Sequence, residues 1–429
     1  MSEGELTAIE QAYLARTGRS AGLMRRAGES MPSGVTRTLA WFAPYPLVFE
    51  RASGANVFDV DGNRYLDMFA NGLSLMHGHA YGPVEQALRE ALSRGTAWPG
   101  ASDAQVEFAE LLCARIPGAE QVRFANTGTE ATMLAVKLAR HVSGRRVLIK
   151  AWEAYHGSYD DLEVGLQGQG EDPGRVALAR FGEIDSYAAA LERNAGNVAA
   201  IIVEPVQYTG VVTPPPDGFL NELRELARRE GVLYILDDCL MSRLAEGGSS
   251  ERFGVAEPDI TCLGKWVGGG LPVGAITARR ELMAPFDLTR EGSLYHGGSF
   301  NGNLLGSIAG QIAVRDLAAA EIARIDAYAD RLRDGVEQAA AELGVPVLTQ
   351  GVGSAFGLYV LDGDGGAIDW KATRLLHLAA LNHGVYYGTG GEFGVCTAFG
   401  DEEIEEAIAG LSGALADLAR ESAVVGGAV

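Results

Sequence analysis

The sequence predicts an α/β protein. A large domain with a mainly parallel sheet flanked by helices is accompanied by a smaller α+β domain from the N- and C-terminal segments. Short apolar runs alternate with helical periods from about residue 100, and an amphipathic helix separates two of these runs. Around residue 310 the composition changes to Ala-rich helical sequence. The chain has 429 residues, 47% of them hydrophobic, which is enough for a large buried core.

The N-terminal part is predicted to begin as helix and to continue into a β-hairpin. Residues 1 to about 30 form a polar stretch with a helical pattern. In "NVFDVDGNRYLDM", Asp61 and Gly62 separate two β-type runs, and glycine accepts the positive φ that a tight turn requires. We assign residues 1–60 to the small domain.

The middle of the chain, residues 61–315, is predicted to be the large domain. Between two of its apolar runs lies "GFLNELRELARREG", in which Phe219, Leu223 and Leu226 repeat at helical spacing before a glycine. Because a strand, a helix and a strand follow one another, the strands are expected to pair in parallel. The predicted strands are residues 147–150, 199–206, 232–236 and 260–263.

The C-terminal part, residues 316–429, is predicted to complete the small domain. The stretches "DAYADRLRDGVEQAAAELG" and "DEEIEEAIAGLSGALADLAR" have helical patterns, and "SAFGLYVLDG" between them is typical of a strand.

Charge and cysteine content narrow the range of functions. A formal net charge of −21 argues against binding to nucleic acid through a basic surface as the main activity. The four cysteines are far apart and form no zinc-type cluster, so we expect reduced thiols and no metal site. No apolar run approaches the roughly 20 residues of a membrane span, and the acidic N-terminus does not have the pattern of a signal peptide. We therefore expect a cytoplasmic protein that binds neither membrane nor nucleic acid.

Three predicted strands end in residues that carry chemistry. The run "GVLYILDDCL" leads to Asp237 and Asp238, "AAIIVEPV" leads to Glu204, and "DITCLGK" ends in Lys265. In an open α/β sheet, ligands bind outside the carboxyl ends of the strands. These side chains are therefore expected to share one site.

A fourth segment supplies a candidate anion site. In "RFANTGTEATMLAVKLAR", Thr127, Gly128 and Thr129 precede a helix, whose free N–H groups favour a phosphate. Each feature also has a simpler interpretation when it is taken alone. The lysine could be a solvated side chain, the paired aspartates could cap a helix or bind a metal, and the threonines could belong to a capping box. Together they are what pyridoxal phosphate requires: a lysine for the Schiff base, a carboxylate for the ring nitrogen and a phosphate cradle.

Over nearly its whole length the chain resembles the class III, fold-type I, pyridoxal-phosphate-dependent aminotransferases. It is similar to the branch with glutamate-1-semialdehyde aminomutase and the β-amino-acid (β-phenylalanine type) aminotransferases. The motifs include "NTGTEATMLAVKLAR", "AYHGSYDD", "IIVEPV", "ILDDCLMSRL", "LGKWVGGGLPVGA" and "HGGSFNGN", in the family's order.

The resemblance implies that Lys265 forms the Schiff base and that Asp237 pairs with the ring nitrogen. It also implies a homodimer with active sites at the interface. The other cofactor-binding positions it implies are Thr127, Gly128 and Thr129 at the phosphate, Tyr155 stacked on the ring, Glu204 nearby, Cys239 in place of the family's valine, and Ser299 reaching the phosphate of the neighbouring subunit.

For the substrate, the resemblance implies a carboxylate bound by Arg37 in "GVTRT", because a guanidinium binds a carboxylate with two parallel hydrogen bonds. Trp41 could line an apolar pocket or pack the N-terminal segment. The loop from Gly384 to Cys396 lacks the arginine of the β-phenylalanine enzymes and offers Tyr386, Tyr387, Thr389 and Glu392 instead. Glu392 could favour an amine or a hydroxyl on the substrate or face solvent, and we expect it to face solvent.

The resulting hypothesis is an aminotransferase that moves an amino group between a β-amino acid, or a related amine-bearing carboxylate, and a keto acid. An aminomutase of the glutamate-1-semialdehyde type is the alternative, although the loop after Glu204 is one residue shorter than in aminomutases. A cofactor-binding protein without activity and a metal-dependent enzyme built on Asp237 and Asp238 also remain open.

Overall fold

A computed structural model describes residues 6–166, 168–363 and 366–426, with the side chains of residues 422–426 left out of the description. The chain divides into two compact units. The small unit contains the described residues of Met1–Leu73, His77–Tyr81 and Ala323–Val429. The large unit contains Ser74–Met76 and the described residues of Gly82–Ile322.

The strands and helices are numbered in chain order. The strands are β1 Phe49–Ser53, β2 Asn56–Asp59, β3 Arg64–Asp67, β4 Gln121–Ala125, β5 Val147–Ala151, β6 Val176–Ala179, β7 Val198–Val203, β8 Leu233–Asp237, β9 Ile260–Leu263, β10 Gly274–Ala278, β11 Val347–Val352, β12 Ala355–Val360, β13 Val385–Tyr386 and β14 Glu392–Gly394. The helices are α1 Ala8–Arg16, α2 Gly18–Ala27, α3 Ala70–Leu73, α4 Gly82–Leu92, α5 Asp103–Arg115, α6 Gly128–Ser143, α7 Asp160–Glu163, α8 Ile184–Arg193, α9 Phe219–Arg229, α10 Gly248–Arg252, α11 Arg280–Met283, α12 Leu304–Asp316, α13 Ala319–Leu343, α14 Trp370–Asn382 and α15 Asp401–Gly426.

The large unit is built on a seven-stranded sheet in the order β4-β10-β9-β8-β7-β5-β6. Strands β9, β8, β7, β5 and β6 are parallel, and β10 is antiparallel to both its neighbours. Every residue of β5, β7 and β9 is buried, which explains their continuous apolar runs. The predicted mainly parallel sheet is confirmed.

Two hydrophobic clusters of the large unit cover the sheet. One includes α6 residues such as Leu134 and Leu138. The other includes Phe219, Leu223 and Leu226 of α9, the residues that repeat at helical spacing in the sequence. The crossover helix is therefore where the periodicity predicts it.

The small unit has a four-stranded sheet, β1-β2-β3-β13, and a three-stranded sheet, β11-β12-β14. Strands β2 and β3 are antiparallel and joined at Gly62, whose φ of 90° confirms the predicted turn. Because this hairpin pairs with β13, the small unit extends to Leu73 rather than to the predicted residue 60. At the other boundary it begins at Ala323 rather than residue 316.

Helix α3 is a left-handed turn. Its four residues, Ala70, Asn71, Gly72 and Leu73, have φ values of 45°, 55°, 71° and 59°. L-residues other than glycine adopt this conformation at a cost, although asparagine tolerates it better than most. The buried Asp67 carboxylate stabilises the entry to the turn, since Oδ1 accepts the N–H groups of Phe69 and Ala70, both at 2.9 Å.

None of the helices in the described part of the chain is both long enough and apolar enough to span a membrane.

Candidate active site

The parallel strands bring most of the predicted residues to one edge of the large unit's sheet. Glu204 follows β7, Asp237 ends β8, and Lys265 follows β9, which are neighbouring strands. The segment that contains Tyr155 follows β5, the next strand in the sheet. The expectation that the carboxyl ends of these strands carry one set of side chains agrees with this order.

Asp237 is buried and hydrogen-bonded to a histidine that the sequence analysis did not assign. Oδ2 of Asp237 accepts from Nδ1 of His156 at 2.8 Å, and Oδ1 accepts the Cys239 N–H at 3.3 Å. Although burial favours the neutral acid, these hydrogen bonds and the Lys265 charge hold the pKa of Asp237 below its usual value. Burial lowers the pKa of His156 despite its carboxylate partner. A negative charge is thus maintained at the end of β8.

The pKa of Glu204 is shifted in the opposite direction from that of Asp237. Burial, with the neighbouring Asp237, raises the pKa of Glu204 to about 8, while the charges of Lys265 and Lys150 oppose the shift. Its Oε2 atom is buried and has no hydrogen-bond partner among the described residues. The Nε2 atom of His156 is also buried and has no hydrogen-bond partner among the described residues. Two buried polar atoms at the carboxyl edge of the sheet therefore lack hydrogen-bond partners in the part of the chain that the structure describes.

Lys265 is half-buried and starts a 3₁₀ turn, Lys265–Gly268, with a φ of 52°. Positive φ is uncommon for lysine, and such backbone conformations cluster at functional sites. The preceding Gly264 allows a close approach to α6: a Cβ on Gly264 would lie 3.1 Å from Gly128 Cα. The lysine backbone is therefore packed directly against the start of α6.

The start of α6 is both a helix cap and a candidate anion site. Thr127 Oγ1 accepts the Glu130 N–H at 3.1 Å, and Thr129 Oγ1 accepts the Ser158 N–H at 3.3 Å. The cap satisfies the third N–H of the helix and leaves those of Gly128 and Thr129 without an intrahelical acceptor. The Glu130 carboxylate accepts the N–H of Asn126 rather than that of Thr127, so Thr127 caps the helix without forming a reciprocal capping box. The N–H groups of Gly128 and Thr129 are the donors that a phosphate could use.

Cys239 packs against this loop as a neutral thiol. A Cβ on Gly128 would lie 3.1 Å from its sulfur, and one on Gly264 would lie 3.3 Å from it. Burial raises the pKa of Cys239 well above its usual value, so the thiolate is not formed near pH 7. The side chain behaves as a small apolar residue.

Tyr155 and Ser299 are more exposed than these residues. Tyr155 is 38% exposed, and its hydroxyl lies 3.4 Å from Ser158 Oγ. Ser299 lies on a cavity of about 460 Å³ that is also lined by Trp98 and Ser102. The Ser299 segment is fixed to the start of α6, because Asn126 Nδ2 donates to Asn301 Oδ1 at 2.8 Å.

Arg37 and Trp41 belong to the small unit. Arg37 Nη2 donates to Asn71 Oδ1 at 2.7 Å, and Trp41 is 46% exposed. The expectation for Glu392 was wrong. Glu392 is only 8% exposed, because the glycine-rich loop folds over it and the Gly390 N–H donates to Oε2 at 3.0 Å. Burial raises the pKa of this carboxyl.

Asp237 and Asp238 have different hydrogen-bond partners. The Asp238 carboxylate is fully bound by Ser249, which donates its N–H to Oδ2 at 2.9 Å and its hydroxyl to Oδ1. Within the described part of the chain, no group of three or more His, Cys, Asp or Glu side chains could hold a metal ion. These contacts give no support to a metal-dependent enzyme built on the two aspartates.

The model of one protein family, aminotransferase class-III, matches residues 40–166 and 177–415. The chain belongs to the class III aminotransferases. It is therefore a pyridoxal-phosphate-dependent enzyme of fold type I, as the sequence motifs predicted.

Relatives within the class III aminotransferases carry different names. A glutamate-1-semialdehyde 2,1-aminomutase of Chloroflexus aurantiacus is 34% identical, over 94% of this chain and 98% of the relative. An omega-transaminase structure from Sphaerobacter thermophilus has a TM-score of 0.88 at 33% identity, covering 93% of this chain and 97% of that one. A β-phenylalanine aminotransferase structure from Variovorax paradoxus has a TM-score of 0.85 at 29% identity, covering 98% of both chains.

The described residues fit pyridoxal phosphate. The cofactor needs an anion site for its phosphate, a carboxylate for its ring nitrogen and an amine for its aldehyde. The large unit provides all three groups on adjoining elements. They are the N-terminus of α6, the buried and ionised Asp237, and the half-buried Lys265. The unpartnered Glu204 Oε2 is a further polar atom that a ligand could satisfy.

Proposed function

We propose that this class III enzyme transfers an amino group between a β-amino acid, or a related amine-bearing carboxylate, and a keto acid. The observation that supports this substrate class is the environment of Arg37. Its guanidinium is exposed and is hydrogen-bonded to a neutral amide, Asn71, rather than to a carboxylate. A substrate carboxylate would provide the negative charge that the neutral Asn71 amide does not offer to the guanidinium.

The cofactor site would be formed by residues of the large unit. Lys265 would bind the aldehyde and Asp237 the ring nitrogen, with His156 orienting the Asp237 carboxylate. When bound, pyridoxal phosphate supplies an aldehyde that combines with amino groups and a ring that accepts an electron pair. The remaining cofactor contacts in this proposal are Thr127, Gly128 and Thr129 at the phosphate, Tyr155 and Cys239 at the ring faces, Glu204, and Ser299 offered to a second subunit.

The residues of the chain carry the proton transfers. Lys265 Nζ would act as a general base that takes a proton from the carbon bearing the donor amino group, and as a general acid that returns this proton later in the same half-reaction. Asp237 stays ionised throughout, because its hydrogen bonds to His156 and to the Cys239 N–H stabilise the carboxylate. Arg37 would bind the substrate carboxylate through two parallel hydrogen bonds.

Product analysis with a labelled donor tests the reaction. The enzyme is incubated with a ¹⁵N-labelled β-amino acid and a keto acid, and the label is followed by mass spectrometry. Appearance of the label in the amino acid derived from the keto acid supports the proposal. Retention of all label on the donor skeleton overturns it.

An aminomutase reaction is the second candidate, and the name of the Chloroflexus aurantiacus relative favours it. An aminomutase moves the amino group within one carbon skeleton and uses no keto acid. Turnover of glutamate 1-semialdehyde without any added keto acid would establish this reaction. We also propose that the enzyme is a homodimer and that it is located in the cytoplasm.

A further inference from the structure

The large unit contains a fully buried lysine, Lys150, that has no part in the proposed chemistry. Lys150 lies in β5, and its side chain is fully buried. Its Nζ donates to two backbone carbonyl oxygens, Leu162 O at 2.9 Å and Val164 O at 2.6 Å. Burying an ammonium is costly unless it is well hydrogen-bonded, so a residue of this kind calls for a specific explanation.

The two carbonyl groups belong to the segment that follows β5 in the sequence. This segment, residues 154–164, contains Tyr155 and His156 and ends in helix α7 and Val164. Lys150 lies in β5, and its ammonium binds the C-terminal end of the segment that follows β5. These hydrogen bonds connect that end of the segment to the strand. Without this ammonium, the carbonyls of Leu162 and Val164 would lose a buried donor.

Other contacts fix the same segment from different sides. Asp161 is buried and accepts from Arg140 and Arg175. Thr132 of α6 donates its hydroxyl to the His156 carbonyl. These contacts hold α7 and His156, whereas the Lys150 ammonium holds the carbonyls at the end of α7 and immediately after it.

The charge of Lys150 also acts on Glu204. Burial lowers the pKa of Lys150 to about 8, and Glu204 is the largest of the acidic groups that oppose this shift. In return, Lys150 helps to lower the pKa of Glu204. The ammonium that binds the segment of Tyr155 and His156 therefore also interacts electrostatically with the carboxyl group of Glu204, which follows β7.

We propose that Lys150 is a positioning residue whose buried ammonium holds the segment of Tyr155 and His156 at the carboxyl edge of the sheet, beside Glu204. Lys150 itself does not touch the cofactor or the substrate. The inference rests on the proposed function, which assigns Tyr155 and His156 to the cofactor site.

The test compares Lys150→Met with Arg145→Met. Arg145 is a matched control, because its Nη1 also donates to two backbone carbonyls, Val198 O at 3.2 Å and Gly231 O at 2.9 Å, at the amino ends of β7 and β8. For Lys150→Met we expect a dissociation constant for pyridoxal phosphate raised about tenfold to 100-fold, as for other small misplacements of binding groups. We also expect an altered visible circular dichroism band of the bound cofactor and faster amide exchange in residues 155–164. Arg145→Met should keep the wild-type value in all three measurements.

A Lys150→Met enzyme that loses thermal stability but keeps all three wild-type values overturns the inference. If this variant does not fold, Lys150→Gln, which keeps a neutral donor, takes its place. Amide exchange in the cofactor-free wild type gives an independent test. Protection of residues 155–164 supports the inference, and exchange as fast as in the exposed residues 297–300 contradicts it.

A His156→Ala variant separates this inference from the proposed function. If His156→Ala leaves the circular dichroism of the cofactor unchanged, the assignment of His156 to the cofactor site is wrong. If His156→Ala changes the band and Lys150→Met does not, only the inference about Lys150 fails.

Discussion

His156 Nδ1 lies 2.8 Å from Asp237 Oδ2, and both side chains are buried at the carboxyl edge of the seven-stranded sheet. The contact joins residues that are 81 positions apart in the sequence. It holds one carboxylate oxygen in a fixed direction and stabilises the ionised form. The proposed role of Asp237 depends on both effects.

Replacing Asp237 by asparagine should abolish most of the activity without unfolding the enzyme. The amide has the shape of the carboxylate but lacks the charge that would hold a proton on the cofactor ring. We expect the rate of the donor half-reaction, measured by stopped-flow absorption, to fall by about 100-fold or more, as for other preorganised electrostatic groups. A rate within a few-fold of wild type would show that the Asp237 charge is not used.

Cys239→Val should preserve the enzyme. The thiol is buried, neutral and packed against Gly128 and Gly264, so an apolar side chain of similar volume should replace it. We expect the free energy of unfolding to change by less than about 1.5 kcal/mol, with cofactor binding retained. Loss of turnover in a folded Cys239→Val enzyme would instead indicate a chemical role for the thiol.

The hydrogen bond between Arg37 and Asn71 predicts a change in substrate preference. Asn71→Asp tolerates the left-handed backbone as asparagine does, and it places a carboxylate 2.7 Å from the guanidinium. This ion pair should compete with the substrate carboxylate and raise the KM for a β-amino acid, with little effect on the KM for an amine that has no carboxylate.

Arg37→Gln is the control for Asn71→Asp. It should raise the same KM, because the charged hydrogen bonds to the carboxylate are lost. If neither variant changes the preference between the two donors, Arg37 is not the carboxylate-binding residue.

The burial of His377 should make the stability of the protein depend on pH. It is buried among the rings of Phe42 and Tyr387, at centroid distances of 4.9 and 5.1 Å, and neither ring nitrogen has a hydrogen-bond partner among the described residues. Burial lowers the pKa of His377 to about 3. Below pH 6.5 the unfolded chain therefore binds a proton that the folded chain does not, and stability falls as the pH is lowered towards 3.

Urea unfolding at pH 7 and pH 5 measures this effect. Between these two values the wild type should lose about 2 kcal/mol more than His377→Met, in which the titrating ring is absent. Equal losses in the two proteins would show that His377 is protonated in the folded state or that its environment is not apolar.

Four strands of the large unit could be predicted because almost all of their residues are buried. Continuous apolar runs marked β5, β7, β8 and β9, and the residues that follow them marked one edge of the sheet. The contact between His156 and Asp237 was not predicted, since no local pattern indicates which histidine reaches a strand 81 residues away. The position of His156 in "AYHG", within the segment that follows β5, was the available signal.

The small unit was harder to predict. Glu392 begins β14 directly after a glycine-rich loop of the kind that usually faces solvent. The glycines let the backbone fold closely over its side chain, because a Cβ on Gly388 would collide with Oε2. The left-handed turn at Ala70–Leu73 is stabilised by Asp67 and by contacts that are distant in the sequence, and only the Asn71-Gly72 pair indicates it locally.

The most direct test of the proposed reaction is a visible-absorption titration of the cofactor-loaded enzyme with a β-amino acid in the absence of a keto acid. The account predicts that the band of the lysine-bound cofactor disappears with one equivalent of donor and returns when a keto acid is added. It also predicts that Lys265→Ala shows no such band. A band that no amino donor removes, or that returns without a keto acid, would contradict transamination by this enzyme.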